Sequence, residues 1–369
     1  MLNSLYIKNF KCLKEIQVNN LSGVNLIAGK NNTGKSSLLE AIFIYASRGY
    51  HGTLFDLSKN RGEECEYLNE KTTPEMVEKT LCSFFPERNT EYNESNTISI
   101  EGKGTTNDKI KLSFVYYRNI VRTDESGNTI YKQEVTNNEH PDKNYSWQKG
   151  LGVFIGRNKY IFPITDRKYI NSLPASQALM KSAYIYSNEL ATASEINAKR
   201  WDAIALTEKE DIVIDALKII EPGIEQLRFI EDERSIYNKR IPVVKLKDGS
   251  TRYPLGSMGD GINHIFTIIL AMVNVKNGIL LIDEIENGLH YTTQEVLWKT
   301  IFKLSKELNI QVFATTHSDD CIHSFGKVLN ETGNLGQLIR LEKKSEDIRV
   351  VNYDAAELDV IYKQGIEVR

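Results

Sequence analysis

Two stretches of the chain carry residue types at spacings suited to phosphate chemistry. The first is Gly29-Lys30-Asn31-Asn32-Thr33-Gly34-Lys35-Ser36, which fits the pattern G-x-x-x-x-G-K-[ST] at every fixed position. Glycines at 29 and 34 let the backbone curl so that its N–H groups face phosphate oxygens, beside a helix N-terminus that favours negative charge. Lys35 is spaced to reach the β and γ phosphates, and the Ser36 hydroxyl suits Mg²⁺. The whole run Gly29, Asn31, Asn32, Thr33, Gly34, Lys35, Ser36 and Ser37 is the expected nucleotide cradle. The second stretch is Gly278–His290, where the apolar residues Ile279–Ile282 end in Asp283 and Glu284. This reads as a strand buried on both faces with carboxylates emerging at its C-terminal edge, where open α/β sheets bind ligands. Asp283 there can hold Mg²⁺, usually through its water shell, and Glu284 can polarise an attacking water.

Two further segments join these. Ile310–Ala314 reads as another buried strand, with the polar tip Thr315-Thr316-His317-Ser318, where His317 can hydrogen-bond a γ-phosphate or the attacking water. Gly256-Ser257-Met258-Gly259-Asp260-Gly261 is a loop of small residues opening the apolar helix Ile262–Val275, a second anion-binding device placed just before the Asp283 strand.

These groups need elements to hold them. Strands are expected at Leu5–Phe10, Leu13–Val18 and Val24–Ala28, followed by a helix over Ser37–Ser47 with Leu38, Leu39, Ile42 and Phe43 on its buried side. Residues 48–180 change character, with short alternating runs such as Ile98–Ile100 and Ile110–Val115, turn signals at Glu125–Asn128 and His140–Asp142, and one helical piece around Pro74–Phe85. Helical character returns over Tyr184–Glu195 and Ile212–Ile220, then strands Leu227–Asp232 and Ile241–Lys247. After the acidic strand come a helix Thr292–Leu308, strands Gly336–Glu342 and Ile348–Tyr353, and a short helix Ala355–Gln364, with Asp319-Asp320 expected to cap the helix after His317. The organisation implied is 1–47 (first part of a nucleotide-binding core), 48–180 (an inserted arm) and 181–369 (the rest of the core).

Composition narrows the classes. The 369 residues are 41% hydrophobic and 26% charged, as in ordinary globular proteins. No apolar run approaches the roughly 18–20 residues a membrane helix needs, and the start lacks a signal-peptide core, so a cytoplasmic location without membrane attachment is expected. Cys12, Cys65, Cys82 and Cys321 are scattered without metal or disulfide spacing. A net charge of −3 excludes a globally basic nucleic-acid binder. The insert does mix Arg118, Arg122, Lys132, Lys143, Lys149, Arg157, Lys159, Arg167 and Lys168 with Tyr116, Tyr117, Tyr145, Trp147 and Tyr160. Such a mixture can grip nucleic acid but more often marks a solvated β surface.

In this order, LYIKNFK at 5–11, the phosphate loop, an inserted arm, GSMGDG, LLIDE, ENGLH and TTHS, the chain resembles the ABC-type ATPase heads of the SMC, RecF and OLD (overcoming-lysogenization-defect) group. It is most similar to the OLD- and RecF-like bacterial members. The resemblance implies an α/β P-loop NTPase fold with a mixed sheet core and an inserted β-rich and helical arm, with ATP as substrate and Mg²⁺ as cofactor. It implies a head-to-head homodimer in which Gly29, Gly34, Lys35 and Ser36 bind phosphates and Mg²⁺ while Ser257, Gly259 and Gly261 cap the γ-phosphate in trans. Asp283 would organise Mg²⁺, Glu284 would be the base and His317 the γ-phosphate sensor, with Asn287 and His290 in the loop crossing the interface. The glutamine that usually couples Mg²⁺ to the arm has Gln177 and Asn188 as candidates. No long heptad repeat makes a coiled-coil arm, and no acidic cluster after His317 makes a Toprim nuclease. The implied role is an ATP-hydrolysing switch, alone or in a larger oligomer, acting on a separate effector such as a Toprim-type nuclease encoded nearby in phage defence. The alternatives are a RecF-like DNA-repair clamp and, less in keeping with the compact loop and β-rich insert, a transporter motor.

Overall fold

The computed structural model describes the chain except for residues 64–71, 92–95, 106, 124–128, 137–141, 143–144, 165–176, 188–192, 233–238, 248, 250, 334, 346, 355, 359 and 361–369. Of the sequence-based expectations, Asn188, Cys65, Lys143, Arg167, Lys168, both insert turns over most of their length and the end of the last helix lie outside the described residues. The elements run β1 (Leu2–Phe10), β2 (Leu13–Val18), β3 (Val24–Ala28), α1 (Lys35–Ala46), α2 (His51–Asn60) and α3 (Pro74–Cys82). Then come β4 (Ile98–Gly104), β5 (Asp108–Thr123), β6 (Thr129–Thr136), β7 (Gln148–Ile155), β8 (Asn158–Pro163) and β9 (Ser182–Ile185). The second half has α4 (Ala193–Asp202), α5 (Glu208–Lys218), β10 (Ile224–Glu231), β11 (Arg240–Leu246), β12 (Arg252–Pro254), α6 (Asp260–Asn274) and β13 (Ile279–Ile282). It closes with α7 (Tyr291–Leu308), β14 (Gln311–Thr315), α8 (Asp319–Thr332), β15 (Gly336–Lys344) and β16 (Asp347–Tyr353).

A six-stranded sheet in the order β16-β15-β3-β14-β13-β9 carries the phosphate loop and the acids. Its five strands from β15 to β9 are parallel and only β16 is antiparallel, so β3, β13 and β14 all end at one edge. Successive residues of a strand point to opposite faces, and here both faces are covered. Ile279 and Leu281 enter the core shared with β1, β4 and α1, while Leu280 and Ile282 enter the core built with α6, α7 and α8. That two-sided burial explains why β13 reads as an unbroken apolar run.

The second large sheet is antiparallel, in the order β2-β1-β4-β5-β7-β8 with β6 added on β5. Residues 48–180 therefore extend the sheet begun by the first hairpin, with Ile7 opposite Ile100. Helix α1 lies between the two sheets. It is buried nearly all round, including Leu38, Leu39, Ala41, Ile42, Ile44 and Tyr45. The expectation of one buried face, with Phe43 on it, is corrected: sheets on both sides leave Phe43 only half-buried while Ile44 and Tyr45 are fully covered. Each buried leucine and isoleucine among them contributes roughly 1.5–3 kcal/mol.

Two other expectations are corrected. Helical character does not begin at Tyr184, because Ser182–Ile185 is β9, paired in parallel with β13 through Leu281↔Tyr184. Four residues are too few for a period to show, and the partner lies almost a hundred positions away. Asp319-Asp320 do not cap α8; Ser318 does, its hydroxyl accepting from the Cys321 N–H, and the two acids occupy the first turn, where the helix dipole favours them. A small third sheet, β10-β11-β12, packs with α4, α5 and α6 and leads through a 3-10 turn at Leu255–Met258 into α6. Among the described residues no helix is long and apolar enough to cross a membrane.

Candidate ATP-hydrolysing site

The loop between β3 and α1 bends where the pattern requires it. Gly29 has φ 148° and Gly34 φ 88°, conformations that a side chain opposes. Packing adds a second reason, for a Cβ at Gly29 would lie 2.6 Å from the Leu341 carbonyl oxygen, and one at Gly34 2.9 Å from Leu13 Cδ2. Gly34 caps α1 without any side-chain oxygen, and no acid sits in the first turn. The first intrahelical bond there runs from Leu38 N–H to the Gly34 carbonyl, so the amides of the first turn are left for an anion. This fits a phosphate.

Within the loop, side chains divide by direction. The Thr33 hydroxyl turns back to the Lys30 carbonyl at 2.8 Å and the residue is buried. Ser37 is buried against Cys12, whose thiol donates to its hydroxyl at 3.6 Å. Asn31 and Asn32 are exposed. Lys35 arches over the loop, its ammonium donating to the Gly29 carbonyl at 2.7 Å and the Lys30 carbonyl at 3.1 Å. Burial lowers its pKa, while the charges of Asp283, Glu284 and Glu286 pull it back up. An ammonium so placed gains by meeting phosphate oxygens.

Ser36 donates to Asp283 Oδ1 at 3.2 Å, and Thr315, at the tip of β14, donates to the same oxygen at 2.5 Å. Burial raises the Asp283 pKa, against the lowering effect of the Thr315 and Ser36 hydrogen bonds. A hydroxyl and a carboxylate oxygen this close are hard donors on neighbouring elements, and they fit Mg²⁺, which keeps most of its waters and takes one or two protein ligands. Tyr184 lies behind Asp283, stacked on Tyr186 with ring centroids 4.3 Å apart; burial pushes its phenol well above the usual range, and the Asp283 and Glu40 charges add to that.

Glu284 has φ 52°, left-handed for a non-glycine residue, a conformation that costs on the order of 1 kcal/mol or more. The turn over-determines it. The Glu284 N–H donates to Thr315 Oγ1 at 2.8 Å, the Asn287 N–H donates to the Glu284 carbonyl at 3.0 Å, and Asn287 Nδ2 donates to Glu284 Oε2 at 2.7 Å. His317 Nδ1 lies 4.0 Å from Glu284 Oε1 and 3.4 Å from Glu286 Oε1. The fold thus gathers Lys35, Ser36, Asp283, Glu284 and His317 at one sheet edge, and adds Thr315, Glu286 and Asn287, whose place in this cluster shows only in the structure.

A model of the AAA ATPase domain matches residues 1–322. The chain belongs to that family. It is an ATPase. An "ATP/GTP phosphatase" of Helicobacter pylori is 24% identical over 353 residues, covering 90% of this chain and 89% of that protein. Among solved structures, an Smc head bound to the C-winged helix domain of ScpA matches with TM-score 0.55 and 13% identity, covering 96% of this chain and 98% of that one. An Smc head with an extended coiled coil, bound to the C-terminal domain of ScpA derived from Pyrococcus furiosus, matches with TM-score 0.50 and 12% identity over 98% of both chains. These likenesses show the fold, an α/β P-loop ATPase fold that matches SMC head domains over nearly the full length.

The remaining sequence candidates lie elsewhere. Ser257 is exposed and donates to the Pro254 carbonyl at 2.7 Å, within its own loop. Gly259, at φ 111°, precedes α6, and Gly261 sits beside the 283–290 turn, where a Cβ would lie 3.5 Å from Leu289 Cδ2. His290 caps α7 through its ring. Gln177 precedes β9, and its side-chain oxygen accepts from the Tyr160 hydroxyl at 2.8 Å, which turns it toward the insert.

Proposed function

We propose that the chain is an ATP-driven switch of the OLD-like type, in which two copies close head to head over ATP. In this reading Lys35 and the free amides at the start of α1 hold the β and γ phosphates. Ser36 and Asp283 hold Mg²⁺, which when bound offsets phosphate charge. Glu284 takes the proton of the attacking water, and His317 engages the γ-phosphate. The observation that carries the reading is the junction of Ser36, Asp283 and Thr315 with Glu284 and His317 beside it. Ser257 and Gly259, which bond within their own loop, and Gly261, beside the 283–290 turn, are assigned to the nucleotide of a second copy. Residues 1–47 and 181–369 would then act as the head and 48–180 as the arm that reports its state to a separate effector. The effector assigned in this reading is a Toprim-type nuclease acting against phage.

The test is the mass in solution of Glu284→Gln with and without ATP and Mg²⁺, repeated with the product of a neighbouring gene. Doubling on ATP supports the closed pair, and a co-migrating neighbour supports the effector. A variant that binds ATP yet keeps its mass overturns the switch.

A further inference from the structure

The turn after β13 holds a second acid that the proposed chemistry does not use. Glu286 is three residues beyond Asp283, and its side chain is only 9% exposed. Its Oε1 accepts from the His317 backbone N–H at 3.0 Å and lies 3.4 Å from His317 Nδ1. Its other oxygen, Oε2, is buried and has no hydrogen-bond partner. The backbone that carries it is held on both sides, since the Leu289 N–H donates to the Glu286 carbonyl and the Ile285 N–H donates to the Thr315 carbonyl on β14. Glu284 is the poorer partner for the imidazole. It is 4.0 Å away, 38% exposed, and its Oε2 already accepts from Asn287.

We propose that Glu286 is the positioning residue of His317, fixing its ring through Nδ1–H so that Nε2 faces the reacting phosphate. This rests on the role given to His317 above and adds a division of labour. Asn287 holds Glu284, Glu286 holds His317, and the two reacting groups are aimed independently from one turn. The chemistry follows from the two ring nitrogens: a carboxylate at Nδ1 keeps the proton there and leaves Nε2 as the acceptor in the neutral ring.

A purely structural role, in which Glu286 only anchors the His317 backbone, makes a different forecast for Glu286→Gln. The glutamine carbonyl can still accept from the His317 N–H, so the turn should survive, but the charge behind Nδ1 is gone. The chain has six histidines, and histidine-selective ¹⁵N labelling at about pH 8, with His317→Ala to assign the signal, reads the ring directly. The expected result is an Nδ1–H tautomer in the parent protein and a shift toward Nε2–H in Glu286→Gln. With it should go a fall in kcat of roughly 10–100-fold, the range when the group orienting an imidazole is lost, and a KM for ATP unchanged within about twofold. In the His317→Ala background, Glu286→Gln should lower kcat no further. Unchanged ring signals in Glu286→Gln overturn the assignment whatever the kinetics. Parent-level kcat in His317→Ala alone would overturn the role given to His317 instead, while the ring signals still judge Glu286.

Discussion

His264 makes the stability of the protein depend on pH in a way that can be measured. It lies on α6, 4% exposed, with the Asn287 backbone as the polar group acting on its ring. Burial lowers its pKa from 6.5 to about 4, against a small opposing pull from the Asn287 backbone. Between those values the unfolded chain binds a proton that the native protein refuses, so stability rises with pH across that window. The contribution is fully present above pH 6.5 and is lost as pH falls toward 4. A difference of two to three units corresponds to about 3 kcal/mol in full, of which about 2 kcal/mol is gone by pH 5. His51, also lowered to about 4 by burial, acts in the same direction, so the parent protein alone cannot isolate His264. The comparison is therefore with His264→Leu, which keeps the site apolar and cannot titrate. Urea unfolding of both proteins at about pH 8 and pH 5 should show the parent losing about 2 kcal/mol more than the variant. Equal losses would refute the reasoning, and would mean that water or a partner reaches the ring.

Other substitutions probe the phosphate loop and its support. Gly34→Ala must accept φ 88° and push aside Leu13, Ile348 and Cys12 at 2.9, 3.1 and 3.2 Å, and should lower stability by about 1–3 kcal/mol in urea unfolding; a change under about 0.5 kcal/mol would show that the loop relaxes freely. Glu40, with a side chain 5% exposed, pairs with Lys11 at 2.8 Å and Arg61 at 3.6 Å. Glu40→Ala should cost about 3 kcal/mol by stranding both cations, measured the same way, and Glu40→Gln should cost less; equal costs would mean that charge is not what holds α1 to the first hairpin and α2.

What could be read from the sequence was what is local. The phosphate loop, the double-faced strand β13 and the polar tip of β14 each announce themselves within a dozen residues, because the glycines, the apolar run and the clustered hydroxyls answer to constraints on their own backbone. The parallel neighbours of β13 are different. Strand β9 has four residues, and only pairing with residues nearly a hundred positions later makes Tyr184 a strand residue, so its periodicity misleads. Helix α2, whose His51 stacks on Phe162 and meets Tyr50 edge-on, has similarly little pattern of its own. Glu286 and Asn287 were visible as letters in ENGLH, yet their partners depend on how the turn folds back on β14. Thr315 gave a clearer signal, as one of several hydroxyls at a strand tip beside the acids.

The placement of β3 has a consequence for synthesis. Its neighbours are β14 on one side and β15 on the other, drawn from residues 311–315 and 336–344. The strand that leads into the phosphate loop leaves the ribosome early but has no sheet to join until those residues emerge. In the interval, Val24, Leu26 and Ile27 form an exposed, strand-forming apolar segment of the kind that chaperones hold and aggregates recruit. Nascent chains stalled before residue 311 should therefore bind no nucleotide, however complete their phosphate loop.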